Sequence, residues 1–274
     1  MLEALDPGRY AELIPLYRDA GGKFPIILAV LEGSQPGQVF TAPGEADAAL
    51  VVHQFGFMRL IERRPVEAMD AGLSELFGAA EGAIRPSYLL WYDPPPRWQE
   101  RLDALGSDVA RRRERLRFAF DESRAAYATE PAHCPEGFSV RRMDRELLPK
   151  AEKFGLALES RFWPSAEPFL EHGLPVCVVK DGEIASLCYG AAVGGGAAEV
   201  DVATDPEFRQ LGLGTVAAEQ FVRECLAAGI EPAWDCFTYN AGSMKLAEKL
   251  GFVPDRGYAF YSFNIPVALP ALSG

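Results

Sequence analysis

The residues best placed to do chemistry lie in one stretch, EVDVATDPEFRQLGLGTVAAEQFV, residues 199–222. Strand alternation puts Glu199, Asp201 and Ala203 on one face and Val200, Val202 and Thr204 on the other. The two carboxylates then stand about 6–7 Å apart along the strand, where either can take a proton directly or through water. On the outer face of a sheet the same pair would simply be solvated. Pro206 stops the strand, and Arg209-Gln210-Leu211-Gly212-Leu213-Gly214 runs into a helix. Ala218, Phe221, Val222, Cys225 and Leu226 follow the helical i, i+3, i+4, i+7, i+8 spacing, and Gly229 ends it. Glycines at a helix N-terminus leave its unpaired N–H donors open to approach, and the helix dipole favours an anion there. Arg209 adds a fork of donors beside them. A turn that merely packs closely would use two glycines as well.

The pattern is Arg-x-x-Gly-x-Gly, which lacks the Gly-x-Gly-x-x-Gly of a dinucleotide site and the Lys-Ser/Thr pair of a Walker loop. Other polar candidates are weaker. His53, His133 and His172 are isolated in sequence. The five cysteines (Cys134, Cys177, Cys188, Cys225 and Cys236) show no metal-ligand spacing. No metal site is expected, and the thiols read as reduced core groups in a cytoplasmic protein. Asn240, three residues before Ser243, suits a helix cap. Trp163, in RFWPS, suits a core.

The net charge of −12 repels nucleic acid and favours small cationic partners such as amines, so the RRRER run at 111–115 reads as a solvated face beside a strand. The longest apolar stretch, FPIILAVL at 24–31, is too short to span a bilayer. The first ten residues hold no apolar run, so no signal peptide is expected either.

The elements that must position these groups fall into two parts. A break is expected near YATEPAHCPEGFSV, giving an α/β domain over 1–132 and a second over 137–274. The first part reads as a helix over 10–20, strands at 26–31, 38–40 and 49–53, helices at 66–77 and 97–105, and strands at 87–92 and 115–120. The second begins with a strand at 138–142, a long helical region over 144–172 and strands at 175–180, 184–192 and 198–204. A helix over 211–228, a strand at 233–238, a short helix at 243–250 and a strand at 258–264 complete it. Strands interleaved with a few helices are α/β with a mixed sheet. Segments 86–106 and 231–251 share a strand, turn, helix, Leu-Gly pattern without sequence identity, which suggests that the first part is a degenerate copy of the second.

VATDPEFRQLGLG, its amphipathic helix and NAGSMKLAEKLGF resemble the GNAT superfamily of acyl-CoA-dependent N-acyltransferases, over about half the chain. ESRFWPSAEPFLEHGLPVCVVKDGEIASLCYG narrows the resemblance to a bacterial subgroup with an N-terminal extension, and glycine N-acyltransferases look like distant relatives. The resemblance implies acetyl-CoA as co-substrate and a primary amine on a small molecule as acceptor. It implies that Arg209, Gln210, Leu211, Gly212, Leu213, Gly214 and Thr215 hold the pyrophosphate. Val202 and Thr204 would offer backbone to the pantetheine, which Asn240, with Ser243 in the same turn, would bond from the other side. It also implies a base on the 199–204 strand, for which Glu199 is preferred and Asp201 is the alternative. Where many relatives carry a tyrosine that protonates the leaving thiolate, this chain has Ala247, leaving Tyr239, Tyr189 or solvent for that step. An acyl-CoA-binding module without catalysis is the other reading of the same features.

Overall fold

A computed structural model of the chain describes residues 1–79, 84, 87–126, 131–154 and 161–269. They form two compact units, Met1–Arg115 with Gly257–Gly274, and Leu116–Arg256. The single break expected between 132 and 137 is therefore replaced by two, at 115/116 and 256/257. The physical reason is that two long strands, Ala110–Phe120 and Phe252–Asn264, each serve one unit with one half and the other unit with the rest.

Unit 1 opens with β1 (Glu3–Ala4), a 3-10 helix (Pro7–Leu13), α1 (Ile14–Asp19) and α2 (Pro25–Leu31). The helix expected over 10–20 starts afresh at Ile14 because Pro15, in its first turn, has no N–H to continue the preceding turn. The strand expected at 26–31 is the helix α2. All seven of its residues are buried, so the run shows no period, and Pro25 at the start favours helix. Next come β2 (Gly37–Thr41), β3 (Ala48–His53) and β4 (Phe57–Glu62), an antiparallel meander. β4 was not anticipated, because Arg59 and Glu62 interrupt its apolar alternation although Met58, Leu60 and Ile61 are buried. Helix α3 (Glu67–Gly78) crosses over to β5 (Tyr88–Tyr92), which lies parallel to β4. Then follow α4 (Pro96–Asp103) and β6 (Ala110–Phe120), while residues 260–264 pair antiparallel with β5. The RRRER run lies within β6, not beside it. Arg112 donates to Asp103 and Tyr261, Arg113 donates to Ser262, and Arg115 stacks over Tyr92 and Phe260.

Unit 2 contains β7 (Ser139–Arg142), a 3-10 helix (Leu148–Phe154) and α5 (Ala166–His172). The region expected to be helical over 144–172 is segmented, with Pro149 and Pro164 near its breaks; residues 155–160 lie outside the described residues. β8 (Val176–Lys180), β9 (Glu183–Gly194) and β10 (Ala197–Thr204) continue the antiparallel order from β7. After a short 3-10 helix (Pro206–Phe208), α6 (Leu213–Ala227) crosses to β11 (Glu231–Phe237), which is parallel to β10. Helix α7 (Ala241–Lys249) and β12 (Phe252–Asn264) are the last regular elements among the described residues. α6 buries Val216, Ala217, Phe221, Val222 and Cys225 in a core shared with Cys188, Ala198 and Trp234. Among the described residues both halves thus run strand, helical segments, three strands, helix, strand, helix, strand.

Among the described residues no helix is long and apolar enough to cross a membrane, and no group of three His, Cys, Asp or Glu side chains is arranged to hold a metal.

Candidate functional site

The site is built around the end of β10. Against β9 this strand is paired from Ala197 to Thr204, with a bulge at Glu199/Val200 that leaves Ala191 as the extra residue. Against β11 the pairing covers only Ala197↔Glu231, Ala198↔Pro232 and Glu199↔Ala233. Beyond Glu199 the two parallel strands separate, and the edge of 200–204 faces a gap instead of a ladder. A gap of this kind presents backbone donors and acceptors to whatever enters it.

The turn after β10 is held from several sides. Asp205 N–H donates to Ala185 O, and its carboxylate accepts Glu207 N–H at 3.0 Å and pairs with Lys153 at 2.7 Å. Phe208 packs edge-on against Phe138 at 5.6 Å, with the Lys180 ammonium over both rings. Arg209 follows, exposed and without an ion pair among the described residues. Gln210 (φ 66°) and Gly212 (φ 78°) both adopt the left-handed conformation, which turns the chain into α6. Gly212 is the N-cap and offers no side chain to the first turn, while its carbonyl accepts from Thr215 and Val216. The remaining N-terminal N–H groups are left for another acceptor.

The two glycines are there for different reasons. A Cβ on Gly212 would meet nothing within 4 Å, so its backbone conformation makes the demand. A Cβ on Gly214 would sit 3.1 Å from Thr204 Oγ1, so there the demand is close approach of helix to strand. Thr204 Oγ1 is in turn 2.8 Å from Ser186 Oγ. Leu213 points its side chain into the core, Thr215 is half-buried, and Leu211 stays 47 % exposed. Val202, Thr204 and Arg209 line one cleft of about 420 Å³, together with Lys153, Phe154, Ala203, Asp205 and Pro206. Lys153 and Phe154 escape sequence reasoning, since nothing in the 144–172 region marks a lysine that reaches this turn.

At the end of β11, Asn240 caps α7 by accepting Ser243 N–H at 3.1 Å. Its amide NH2 is not used by the cap. Ser243 Oγ accepts from Trp234 Nε1 at 3.1 Å, which ties the helix to the strand. Ala247 is fully buried in the core with Leu250 and Phe252. Tyr239 is 71 % exposed and stacks on Phe237 at 5.2 Å.

The carboxylate face lies opposite α6. Asp201 sits across from Tyr189 in the ladder, and the Tyr189 hydroxyl donates to Asp201 Oδ2 at 2.7 Å. Tyr189 is buried against Phe169, which packs on Trp163, whose indole N–H donates to Gly190 O. Burial, then the charge and hydrogen bond of Asp201, hold the Tyr189 hydroxyl well above its ordinary pKa, opposed by the Arg161 cation. Glu199 is half-buried on the same strand face. His53 is a core residue whose Nδ1 accepts Phe55 N–H at 3.2 Å, and His133 and His172 are exposed.

Comparison with known proteins agrees on a family. A family model described as GNAT acetyltransferase matches residues 20–261. An uncharacterized N-acetyltransferase of Bacillus subtilis, YdfB, is 32 % identical over 144 residues, 50 % of this chain and 55 % of that protein. The match therefore spans about half the length of that curated relative. A GCN5-related N-acetyltransferase-like protein from Streptococcus suis is similar in structure, with a TM-score of 0.72 at 22 % identity over 94 % of this chain and 100 % of that one. A tandem GNAT protein from the clavulanic acid biosynthesis pathway is similar with a TM-score of 0.63 at 17 % identity, over 99 % and 100 % of the two chains. At these identities the two structures speak for the fold.

Proposed function

The chain belongs to the GNAT acetyltransferase family, and from that premise we propose that it moves an acetyl group from acetyl-CoA to a primary amine by direct attack in a ternary complex. The observation that carries this reading is the gap between β10 and β11 beyond Glu199↔Ala233, which leads to a helix N-terminus capped only by glycine. A diphosphate fits that terminus. The first-turn N–H groups and Arg209 supply donors, and Gly212 and Gly214 keep side chains out of the way. Val202 and Thr204 offer backbone along the gap, and Asn240 has its amide NH2 to spare on the far side.

Acetyl-CoA supplies an acyl thioester, so that a C–N bond forms as the C–S bond breaks and the released thiolate takes a proton from water. The chain's own part is to orient the amine and remove its proton. Asp201 has one oxygen engaged by Tyr189, which fixes its direction and leaves that oxygen occupied. Glu199, two residues earlier on the same face, is the base. Tyr189 is a poor acid for the thiolate, because its O–H is directed at Asp201 and its raised pKa holds the proton more firmly. The acceptor is a small amine, cationic in solution and drawn by the net charge of −12. Its capture should weaken as salt rises, by screening over about 8–10 Å near physiological ionic strength.

One observation favours a second reading. Ala247 is buried where a thiolate-protonating tyrosine would be expected, which suits an acyl-CoA-binding module without turnover. Thiol release from acetyl-CoA with a panel of small primary amines separates the two. Release that depends on the amine supports transfer, and tight CoA binding without release from any of them supports the module.

A further inference from the structure

The cleft beside Arg209 receives a side chain from an element that the glycine turn does not include. Lys153, near the end of the Leu148–Phe154 helix, reaches across to Asp205 with its ammonium 2.7 Å from the carboxylate. Its side chain is 34 % exposed and lies along the cleft wall formed by Phe154. Among the lining residues, Lys153 and Arg209 are the cations and Asp205 is the one carboxylate. In a chain of net charge −12 this is a local excess of positive charge. An ammonium has three donors, so one directed at Asp205 leaves others for a second anion. Asp205 also accepts Glu207 N–H, and the Lys153 and backbone hydrogen bonds hold its carboxyl below the usual range, so it remains an anion that keeps Lys153 in place.

We propose that Lys153 is a ligand-binding residue, donating to the diphosphate of bound CoA from the cleft that it lines together with Arg209 while it keeps Asp205. This rests on the acyl-CoA reading of the same site. Lys153 thereby links the 144–154 segment to the cofactor turn, so that the cofactor's negative charge is shared between two elements. Arg209, beside the α6 N-terminus, would hold it from one and Lys153, in the same cleft as Arg209, from the other.

The test is binding to the full chain: calorimetry with CoA and dephospho-CoA, and NMR titration with pantetheine, which has no phosphate. Lys153→Met should weaken CoA and dephospho-CoA alike by about 10-fold, the effect of one charge-assisted hydrogen bond, and leave pantetheine unchanged. Lys153→Arg should restore most of the loss. Asp205→Asn, which keeps an acceptor for Glu207 N–H but frees the lysine, should hold or raise CoA affinity. Unchanged CoA affinity in Lys153→Met, with only a lower Tm, would make Lys153 a structural tie to Asp205 and overturn the proposal. Equal losses of CoA affinity in Lys153→Met and Asp205→Asn would overturn it too. A loss seen with CoA and not with dephospho-CoA would move the contact to the 3′-phosphate and reject the diphosphate. A wild-type chain that bound no CoA would overturn the acyl-CoA reading itself, whereas normal wild-type binding confines any failure to Lys153.

Discussion

In unit 1 the crossover helix α3 begins with Glu67 and Asp70 in its first turn, whereas in unit 2 α6 begins after Gly212 and carries no acid there. Asp70 is buried and accepts from Arg97 Nε at 2.7 Å and from Trp98 Nε1 at 2.6 Å, and Arg97 also forks onto Glu62. The basic residues of the turn before α3 are likewise spoken for: Arg63 pairs with Asp19 and Asp47, and Arg64 with Asp47. The strand gaps differ in the same sense. β4 and β5 pair only at Phe57↔Leu90 and Met58↔Trp91. Past that point Arg59 bridges the strands, donating to Tyr92 O and Asp93 O and pairing with the Asp93 carboxylate at 3.0 Å. β10 turns no arginine toward its gap, since 200–204 reads VDVAT. One strand–helix–strand frame thus pairs Asp70, Arg59, Arg63, Arg64 and Arg97 within its own unit, whereas the other leaves Arg209 without an ion pair among the described residues. A helix N-terminus with its own carboxylates is finished structure. One with glycines and an arginine lacking an ion pair is open to an anion, which is what the proposed function uses.

The comparison breaks most sharply at Glu199. If unit 2 is the working half, Glu199→Gln should lower turnover roughly 10²–10⁴-fold, the range for loss of a general base. CoA affinity should barely change, because the turn proposed to hold the phosphates lies beyond the end of the strand. The wild-type rate should rise with pH through an ionisation that the variant lacks. Asp201→Asn is the control on the same strand face. A severe loss in Asp201→Asn with little in Glu199→Gln would exchange their roles, and no loss in either would leave the proton to water or the substrate.

The second largest effect should come from giving α6 what α3 already has. Asp and Asn tolerate left-handed φ better than other side chains, so either can replace Gly212 at φ 78° with little damage to the fold. Gly212→Asp sets a carboxylate where the diphosphate would sit and should weaken CoA by about 100-fold. Gly212→Asn has the same shape without the charge and should cost far less. Equal losses measured by calorimetry would mean that steric fill, not charge, closes the site.

Much of unit 2 was legible in the sequence because its signals are local. The alternation of β10, the period of α6 and the glycine turn each need only neighbouring residues to be read. The failures share a cause: they depend on contacts from elsewhere in the chain. α2 reads as a strand because complete burial erases its period, and β4 was hidden by Arg59, whose partners lie on another strand. The unit boundary could not be read from 127–137 because it is set by which partners two long strands choose. Lys153 was invisible for the same reason: its role is defined by Asp205, fifty-two residues on by sequence number. The cap that Asn240 makes to Ser243 was legible from their spacing, and Gly214 allows the close approach of helix to strand; the ligand roles of both remain part of the proposal.

A smaller effect tests the filled gap. Arg59→Met removes the bridge between β4 and β5, that is, the Arg59 contacts to the Asp93 carboxylate and to the Tyr92 and Asp93 carbonyls. The loss of stability should be about 2 kcal/mol, read from urea unfolding, because the pair is largely but not wholly buried. Turnover per folded molecule should be unchanged. Reduced affinity for CoA in a variant that remained folded would mean that unit 1 contributes to the site after all.

The smallest predicted difference between the units appears at alkaline pH. All five cysteines belong to Leu116–Arg256. Burial pushes the thiols of Cys177 and Cys225 up to about 12, and Cys188 is raised as well. In each case the fold favours the neutral form, so the stabilisation is complete below the ordinary thiol value of 9.0. It is lost as pH rises above that value toward 12, because the unfolded chain can ionise these groups and the folded chain cannot. Unit 1 has no thiol, and its raised groups include Tyr10 and Tyr261, both shifted first by burial, whose unfolded value is 10.0. Unit 2 should therefore loosen first as pH passes 9, each buried thiol costing about 0.8 kcal/mol at roughly pH 9.5. Cys225→Ala will lower Tm at neutral pH by leaving a small cavity, so the informative quantity is the slope of Tm against pH. That slope should be flatter in Cys225→Ala than in wild type between about pH 9 and 10, while iodoacetamide labelling of the remaining thiols reports the opening of unit 2. Parallel slopes would mean that the thiols are not what limits stability there, and that the tyrosines of both units decide it together.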